Sequence, residues 1–564
     1  MQTDYQTIVY PYVRPVELDA PEPRRVPVVV VGAGPVGLAA ALDLAQQGVP
    51  VVLLDDDDRL STGSRALCFA QRTLEVFDRL GCGEPMVRTG VRWQRGKVFL
   101  RDALVYTFDL QPEGGHKRPA FVNLQQYYVE GALVDRALAE PGLELRWKSR
   151  VVGIEQHDDG VTVAVYTPDG GYRLQADWVV VADGARSPVR HLMGLESRGR
   201  TFRDRFLIAD VRMTADFPTE RWFWFDPPFH PNQSVLLHKQ PDGIWRIDFQ
   251  LGWDADPQLE RRPERVVPRV RALLGEQAEF ELVWVSVYTF ACMRMERFRH
   301  GRVLFAGDSA HGVSPFGARG ANSGVQDADN LAWKLARVVR GDSPAALLDS
   351  YDVERIHAAD ENIRASTRST DFITPKSHAS RVFRDAVLAL AREAPFARTL
   401  VNSGRLSVPA VLAGSPLSTP DVDHGADAFA GRLVPGAPPT DAPVREHGAP
   451  GWLVDALERR FTLLVAHDPA DAQLAQRLLE ALRALDADAR ALLVAEPGAA
   501  PEPAAGLRVL HDVEGLVRAR YDLRPGSAYL LRPDQHVAAR FRRPDARALA
   551  AAWRRAAGWP ESRA

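Results

Sequence analysis

Four β-branched residues stand in a row from Val28 to Val31, between Pro27 and Gly32. A short unbroken apolar run of this kind predicts a strand covered on both faces, the type found inside parallel sheets. A glycine-rich turn follows, then an Ala/Leu-rich stretch over 38–47 that predicts a helix stopped by Gly48. Residues 49–54 are again apolar and end at Asp55, so the segment predicts a βαβ unit with a right-handed crossover. Helices are expected over 65–80 and 124–139, and strands over 143–148, 151–156, 161–166 and 178–181. Between about 202 and 290 the periodicity changes. The segments 206–213, 221–225, 234–239, 244–250 and 281–290 predict an antiparallel sheet. Aromatic residues crowd this stretch (Trp222, Phe223, Trp224, Phe225, Phe229, Trp245, Phe249, Trp284, Tyr288 and Phe290) and suggest an aromatic floor. Residues 303–306 return to the buried-strand type. A glycine-rich loop and a helix over 323–339 follow, with helical pattern to about 400.

These changes divide the chain into an irregular arm (1–24), a discontinuous α/β domain (25–200 and 291–402), a sheet domain (201–290), a Pro/Gly-rich linker (403–445) and a C-terminal unit (446–564). The last unit predicts strands at 461–466, 491–494 and 507–510, helices at 470–484, 513–521 and 543–557, and a hairpin of 528–532 with 536–541 around Pro533-Asp534-Gln535. That βαβ…αββα order resembles a thioredoxin-like domain. It holds no cysteine, which excludes dithiol chemistry and leaves a packing or assembly role, with a homodimer as one possibility.

Composition changes this picture little. Lys plus Arg number 70 and Asp plus Glu 73, a net charge of −3, which argues against a nucleic-acid or polybasic membrane partner. The absence of an 18-residue apolar run and of an apolar leader predicts a cytoplasmic protein without membrane spans. Three scattered cysteines, Cys68, Cys82 and Cys292, give no metal or disulfide spacing, so no metal is expected.

The chemistry lies in three motifs. Gly32-Ala33-Gly34-Pro35-Val36-Gly37 is G-x-G-x-x-G between a buried strand and a helix. Gly32 permits the tight turn, Gly34 lets backbone approach a pyrophosphate, and Gly37 lets helix pack on strand. The helix N-terminus offers free N–H groups to phosphates. Asp55, at the end of the second strand, suits a ribose. Together these predict a dinucleotide site. The second motif is Ala182-Asp183-Gly184-Ala185-Arg186-Ser187-Pro188-Val189-Arg190. The third is Gly307-Asp308-Ser309-Ala310-His311, followed by Pro315, Gly317, Gly320, Ala321 and Asn322. Asp308 at a strand end is placed to take a polyol hydroxyl. Which dinucleotide binds does not follow from composition.

In this order the three motifs resemble those of the single-component, FAD-dependent aromatic hydroxylases, and within that family the 3-(3-hydroxyphenyl)propionate hydroxylase-like members with a thioredoxin-like tail. The stretch Asn322-Ser323-Gly324-Val325-Gln326-Asp327-Ala328-Asp329-Asn330-Leu331-Ala332-Trp333-Lys334-Leu335 is close to the family's pattern. The resemblance implies an α/β fold with a Rossmann-like FAD-binding domain and an antiparallel-sheet substrate domain. It assigns Gly32, Gly34, Gly37 and Asp55 to the ADP half of FAD, with Arg65 and Gln126 also against the cofactor. Asp183 and Gly184 would serve FAD and the nicotinamide cofactor, and Gly307, Asp308, Pro315, Gly320, Ala321 and Asn322 the ribityl chain and flavin ring. It further implies an NAD(P)H-dependent monooxygenase that uses O2, through a flavin 4a-hydroperoxide, on a small phenolic or related aromatic substrate. A polyketide or other large ring, oxidised by epoxidation or Baeyer–Villiger chemistry, and a non-catalytic flavin binder are the alternatives. Two positions depart from the pattern: Ser309 stands where many members have alanine, and Leu67 near where phenol hydroxylases carry an acid. On the sheet, His238, Arg246 and Tyr288 are the candidates to aid loss of a substrate proton. Arg246 suits a carboxylate, or else an ion pair with Asp248.

Overall fold

The computed structural model describes residues 7–63, 65–214, 217–401, 406–421, 425–499, 501 and 506–560. The valine run forms the buried half of strand Arg24–Val31, in the middle of a largely parallel sheet. Its path runs Arg299–His300, Val303–Phe305, Gly170–Val181, Arg24–Val31, Val51–Leu54, Leu143–Arg146. The chain steps to one side of Arg24–Val31 early and to the other side later, so the order reverses beside that strand. Ligands of open α/β sheets bind at such a reversal. The registers make it usable: Val31 lies opposite Leu54 on one side and Val181 on the other, and Val181 lies opposite Phe305. Four strands finish level. The loops leaving them, at Gly32, Asp55, Ala182 and Ala306, share one edge although they are up to 274 residues apart in sequence.

Helices Pro35–Gln46 and Gly320–Arg340 lie side by side at this edge. Their approach depends on glycine. A Cβ on Gly324 would stand 2.6 Å from Val36 Cγ2 of the other helix, whereas one on Gly37 would strike the turn before its own helix, 1.8 Å from the Gly32 carbonyl oxygen.

The helix expected over 65–80 begins only at Gln71, and Cys68–Ala70 is a strand. Tertiary hydrogen bonds override local propensity here. Cys68–Ala70 pairs with Phe121–Asn123, and Asn322 takes the Ala70 N–H at 2.8 Å while giving Nδ2–H to the Cys68 carbonyl at 2.8 Å.

Among the described residues the second sheet has eight strands, in the order His311–Gly312, Phe280–Met295, Ser197–Met213, Ile244–Leu251, Ser234–Lys239, Arg221–Phe225, Arg95–Leu100, Ala103–Asp109. It therefore draws on residues before 201 and after 290. The aromatic residues do not form one floor. Because side chains alternate across a strand, Trp222, Trp224, Phe229, Trp245 and Phe249 pack on the back, under helix Pro263–Leu274. Phe223, Phe225 and Phe290 pack on the front with Phe206 and Phe316.

The C-terminal sheet places Thr462–Ala466 between the parallel strand Arg490–Ala495 and the antiparallel strand Ala528–Leu531, with Val537–Phe541 outside the latter. This is the thioredoxin-like arrangement. Strand Pro443–Glu446 also joins this sheet. The hairpin turn at 533–535 is driven into the α/β domain. Arg532 pairs with Glu354 and Asp534, both at 2.5 Å, and Lys334 reaches Glu354 at 2.6 Å, all four side chains being fully buried. Burial opposes the charge on Glu354, but Arg532 and Lys334 outweigh it and hold this carboxyl well below the usual range.

Candidate functional site

At the first strand end, Gly34 precedes helix Pro35–Gln46, and a Cβ placed on it would meet nothing within 4 Å. The backbone there is open to a ligand. Asp55 Oδ2 accepts the Ala33 N–H at 2.5 Å and Oδ1 accepts the Asp57 N–H at 2.9 Å, so this carboxylate ties the glycine turn to the neighbouring strand end. Each oxygen keeps a lone pair for a further donor. Burial pushes the Asp55 carboxyl up to about 6, against the effect of the two N–H groups.

Gln126, at the start of helix Gln126–Leu138, accepts the Ala66 N–H at 3.0 Å and donates to Glu130 at 2.7 Å. Glu130 in turn accepts both the Ser61 N–H and the Ser61 hydroxyl. The two side chains pin the segment that presents Arg65, which is exposed. Glu130 was not foreseen, although its i+4 spacing from Gln126 on a helix was visible.

At the third strand end, Asp183 Oδ2 accepts the Val189 N–H at 3.1 Å, whereas Oδ1 is buried without a partner. Gly184 has φ +81° and open space beside it. Arg190 bridges the second and third motifs by donating to the Ala185 and Ser309 carbonyls, each at 2.7 Å. Behind the third motif lies Asp327, wholly buried. It accepts from Gly307 N–H at 3.0 Å, His311 Nε2 at 2.6 Å and Arg355 Nε at 2.6 Å. His311 thus supports the loop and does not face the cleft. Arg355 sends no signal at sequence level, since its role depends on how a distant helix packs. The Ser309 hydroxyl donates within the fold to the Val181 and Ala306 carbonyls. Asp308 itself is exposed on the cleft side. Its carboxyl is raised because protein encloses it on its other sides. Pro315 is exposed, and Gly320 and Ala321 are half-buried at the start of helix Gly320–Arg340, whose first N–H groups lack intrahelical acceptors. The Asn322 side chain is committed to Cys68, Ala70 and Ala318, so only its backbone is free to meet a ligand.

Across the cleft stands the front of the second sheet. Arg246 and His238 are direct cross-strand neighbours. Arg246 is 6% exposed and donates to Asp248 at 2.8 Å and to the Arg65 carbonyl at 3.4 Å. The ion pair expected as an alternative is therefore formed, in the interior and not on the surface. His238 is 3% exposed, and its Nδ1 has no partner. Burial, with Arg221 and Arg246 nearby, holds it well below the usual histidine range, so it is neutral at physiological pH. Tyr288, opposite Phe206 of the front cluster, is 44% exposed. The enclosing protein and the charge of Asp308 raise its hydroxyl.

Residues 25–366 match the FAD binding domain family, and residues 442–556 match the HcaD C-terminal domain family. The first match spans more than half of the chain. The chain belongs to the FAD binding domain family. As a flavoprotein monooxygenase it has named relatives. It is 31% identical over 551 residues to 6-methylpretetramide 4-monooxygenase of Streptomyces rimosus, covering 95% of this chain and 94% of the relative. It is 33% identical over 384 residues to 3-(3-hydroxy-phenyl)propionate/3-hydroxycinnamic acid hydroxylase of Mycolicibacterium smegmatis, covering 66% of each. Among solved structures it resembles a ternary complex of aklavinone-11 hydroxylase with FAD and aklavinone. The TM-score is 0.74 at 26% identity, covering 95% of this chain and 99% of the other.

The level edge of this FAD-dependent monooxygenase fits the cofactor. It combines an open backbone at Gly34, two helix N-termini for phosphates, and a carboxylate oxygen at Asp183 that is buried and still lacks a donor.

Proposed function

We propose that this flavoprotein hydroxylates a phenolic or related aromatic compound, with NAD(P)H as reductant and O2 as the oxygen source. Bound FAD would supply the chemistry, accepting a hydride from the nicotinamide and then activating O2 for transfer of one oxygen atom to the ring. The protein's part is to hold, orient and exclude water. We assign the adenine half to Gly32, Gly34, Gly37 and Asp55, with Arg65 and Gln126 alongside. Asp183 and Asp308 take polyol or ribose hydroxyls, and the backbone of Pro315, Gly320, Ala321 and Asn322 faces the ring end.

One observation carries this reading. Asp308 on the cofactor edge and Tyr288 on the front of the second sheet are both exposed, and Phe206, the cross-strand neighbour of Tyr288, packs against Phe316 of the third motif's loop. A substrate between the two sheets would meet the cofactor edge on one side and Tyr288 on the other. Neutral His238 can hydrogen-bond a phenol without competing for its charge. Arg246, held by Asp248, fixes the Arg65 segment and lends positive potential to an ionising phenol. The packed front and back clusters of the sheet keep this wall dry.

A second reading, oxygenation of a larger fused ring, is supported by the alignment with 6-methylpretetramide 4-monooxygenase along nearly the whole chain. One experiment separates them. FAD-loaded protein is given NADH or NADPH under 18O2 with simple phenols, beginning with 3-(3-hydroxyphenyl)propionate, and with fused-ring polyphenols. A product heavier by one labelled oxygen from a simple phenol supports the first reading, and from a fused ring alone the second. Reductant consumption yielding only hydrogen peroxide with every compound would contradict both.

A further inference from the structure

Arg221 opens strand Arg221–Phe225 and points to the front of the sheet, on the same side as Phe223 and Phe225. It is only 7% exposed, yet among the described residues it makes no side-chain hydrogen bond and no ion pair. That is unusual. Its guanidinium nitrogens are not among the fully buried atoms, so they face open space and not a dry core, where an unpaired charge would be costly. The nearby carboxylate of Asp248 is taken by Arg246. Every other deeply buried arginine of this cleft wall and its neighbourhood is engaged: Arg246 by Asp248, Arg190 by two carbonyls, Arg355 by Asp327.

Arg221 instead lines a cavity with Phe108, Phe223, Phe316, Gly317 and Ile373. Phe316 and Gly317 belong to the third motif's loop, so the cavity lies between the sheet front and the cofactor edge. Its free space is about 20 Å³. That holds a water-sized group and excludes a ring. Apart from Arg221, Ser369 is the one polar residue of the described lining, and the rest are aromatic, aliphatic or glycine. A second unsatisfied group lies beside the first. The pairing of Trp222 with Leu237 sets Arg221 next to His238, whose Nδ1 is buried without a partner. Among the described residues Arg221 and the His238 Nδ1 thus lack hydrogen-bond partners, while His238 Nε2 lies 3.9 Å from Asp248.

We infer that Arg221 is the anchor for an anionic oxygen group on the aromatic substrate, with His238 as the second hydrogen-bonding group beside it. The guanidinium fork suits two oxygens held in one plane. The ring would stay in the cleft, and only its charged end would enter the cavity. Two sources carry this chemistry, a side-chain carboxylate and a ring phenolate. The inference rests on the hydroxylase reading above, and it adds that the substrate is recognised as an anion.

The test uses FAD-loaded protein with wild-type sequence, Arg221→Met and Arg221→Lys. The probes are 3-(3-hydroxyphenyl)propionate and its primary amide, with KM and kcat measured separately and bound FAD per chain as the control of folding. Loss of a charge-assisted, bidentate contact is worth about 10- to 100-fold. The expected result is that Arg221→Met raises KM for the acid by about that factor, changes kcat less than about threefold, and leaves the amide near its wild-type KM. Arg221→Lys recovers part of the loss. If the amide suffers as much as the acid, while the KM of both falls as pH rises through the phenol pKa in wild type only, the anchored group is the phenolate. Equal KM for variant and wild type overturns the proposal. If Arg221→Met fails to retain FAD, wild-type protein is titrated with 3-phenylpropionate and 3-phenylpropionamide by thermal shift. Stabilisation by the acid alone, or by neither when the pH-dependent KM is present, upholds an anion anchor. Equal stabilisation by both with a pH-independent KM overturns it. The two proposals fail separately. Turnover of phenols with an unaffected Arg221→Met removes the anchor and keeps the hydroxylase. Binding of 3-phenylpropionate that depends on Arg221, with no phenol turned over, does the reverse.

Discussion

On one wall of the cleft the groups offered to a ligand come mainly from the main chain. On the other they are side chains. The cofactor edge presents Gly34, Gly184 and the first turns of two helices, with Asp55, Asp183 and Asp308 spaced between them. The sheet front presents Arg221, His238, Arg246 and Tyr288 on a regular pleat. Backbone geometry is fixed by glycine placement and strand register, and on the proposed assignment it serves one cofactor. Side chains on a pleat can be exchanged without altering the sheet, which is the property a substrate-reading wall needs.

The sharpest way to break the comparison is at the backbone. Gly37→Val would put carbon into the Gly32 carbonyl, so the variant should be recovered without flavin or not folded at all. Flavin absorbance per chain in the purified protein decides it. Normal FAD content would mean that the glycine turn is not the cradle.

The cradle also has a remote support. Helix Gly320–Arg340 carries Lys334, which is locked through Glu354 to Arg532 of the C-terminal hairpin. Arg532→Met removes a buried cation from both Glu354 and Asp534, Glu354 keeping Lys334, and should cost about 3–5 kcal/mol. A fall of several degrees in Tm is expected, and an unchanged Tm would show that the tail only rests on the domain.

Asp308→Ala removes a side chain and spares the main chain. FAD affinity should fall about 10- to 100-fold with the fold intact, as expected for loss of a hydrogen bond to a charged group. Circular dichroism confirms the fold.

Asp55 sets cofactor binding against stability. Its folded-state value of about 6 lies above the ordinary 3.8. The folded form therefore binds more protons between about pH 4 and 6, and apoprotein stability falls as pH rises through that window. Asp55→Asn should remove this slope and weaken FAD, since its amide accepts at one oxygen only and gives up one of the two backbone N–H bonds. Urea midpoints of the apoprotein at pH 4.5 and 7 provide the check. The smallest effect is expected at Tyr288→Phe: unchanged FAD content and a two- to tenfold loss of turnover, the size of one neutral hydrogen bond.

The same contrast explains what could be seen in the chain before its structure. The valine run, the glycine spacing and the ends of the buried strands carry local rules, so the βαβ unit and all three motif loops were legible. Convergence of the loops follows from register, which sequence patterns only imply. The sheet strands were legible as well, but not which aromatic faced which side. That followed from alternation combined with a covering helix, and it divided the expected floor in two. His238 and Arg246 were visible as candidates, yet their burial and Arg246's pairing with Asp248 depend on packing. Arg221 gave no signal at all, since a missing partner is a property of the folded state. The 68–70 strand was hidden for a related reason, because Asn322, 252 residues beyond Ala70, holds it in place.

The most direct test of the two-wall account is one FAD titration, followed by flavin fluorescence, of wild type, Asp308→Ala and Arg221→Met. The account predicts that Asp308→Ala weakens FAD about tenfold or more and that Arg221→Met stays within about threefold of wild type. Equal weakening by both variants, or none by Asp308→Ala, would contradict it.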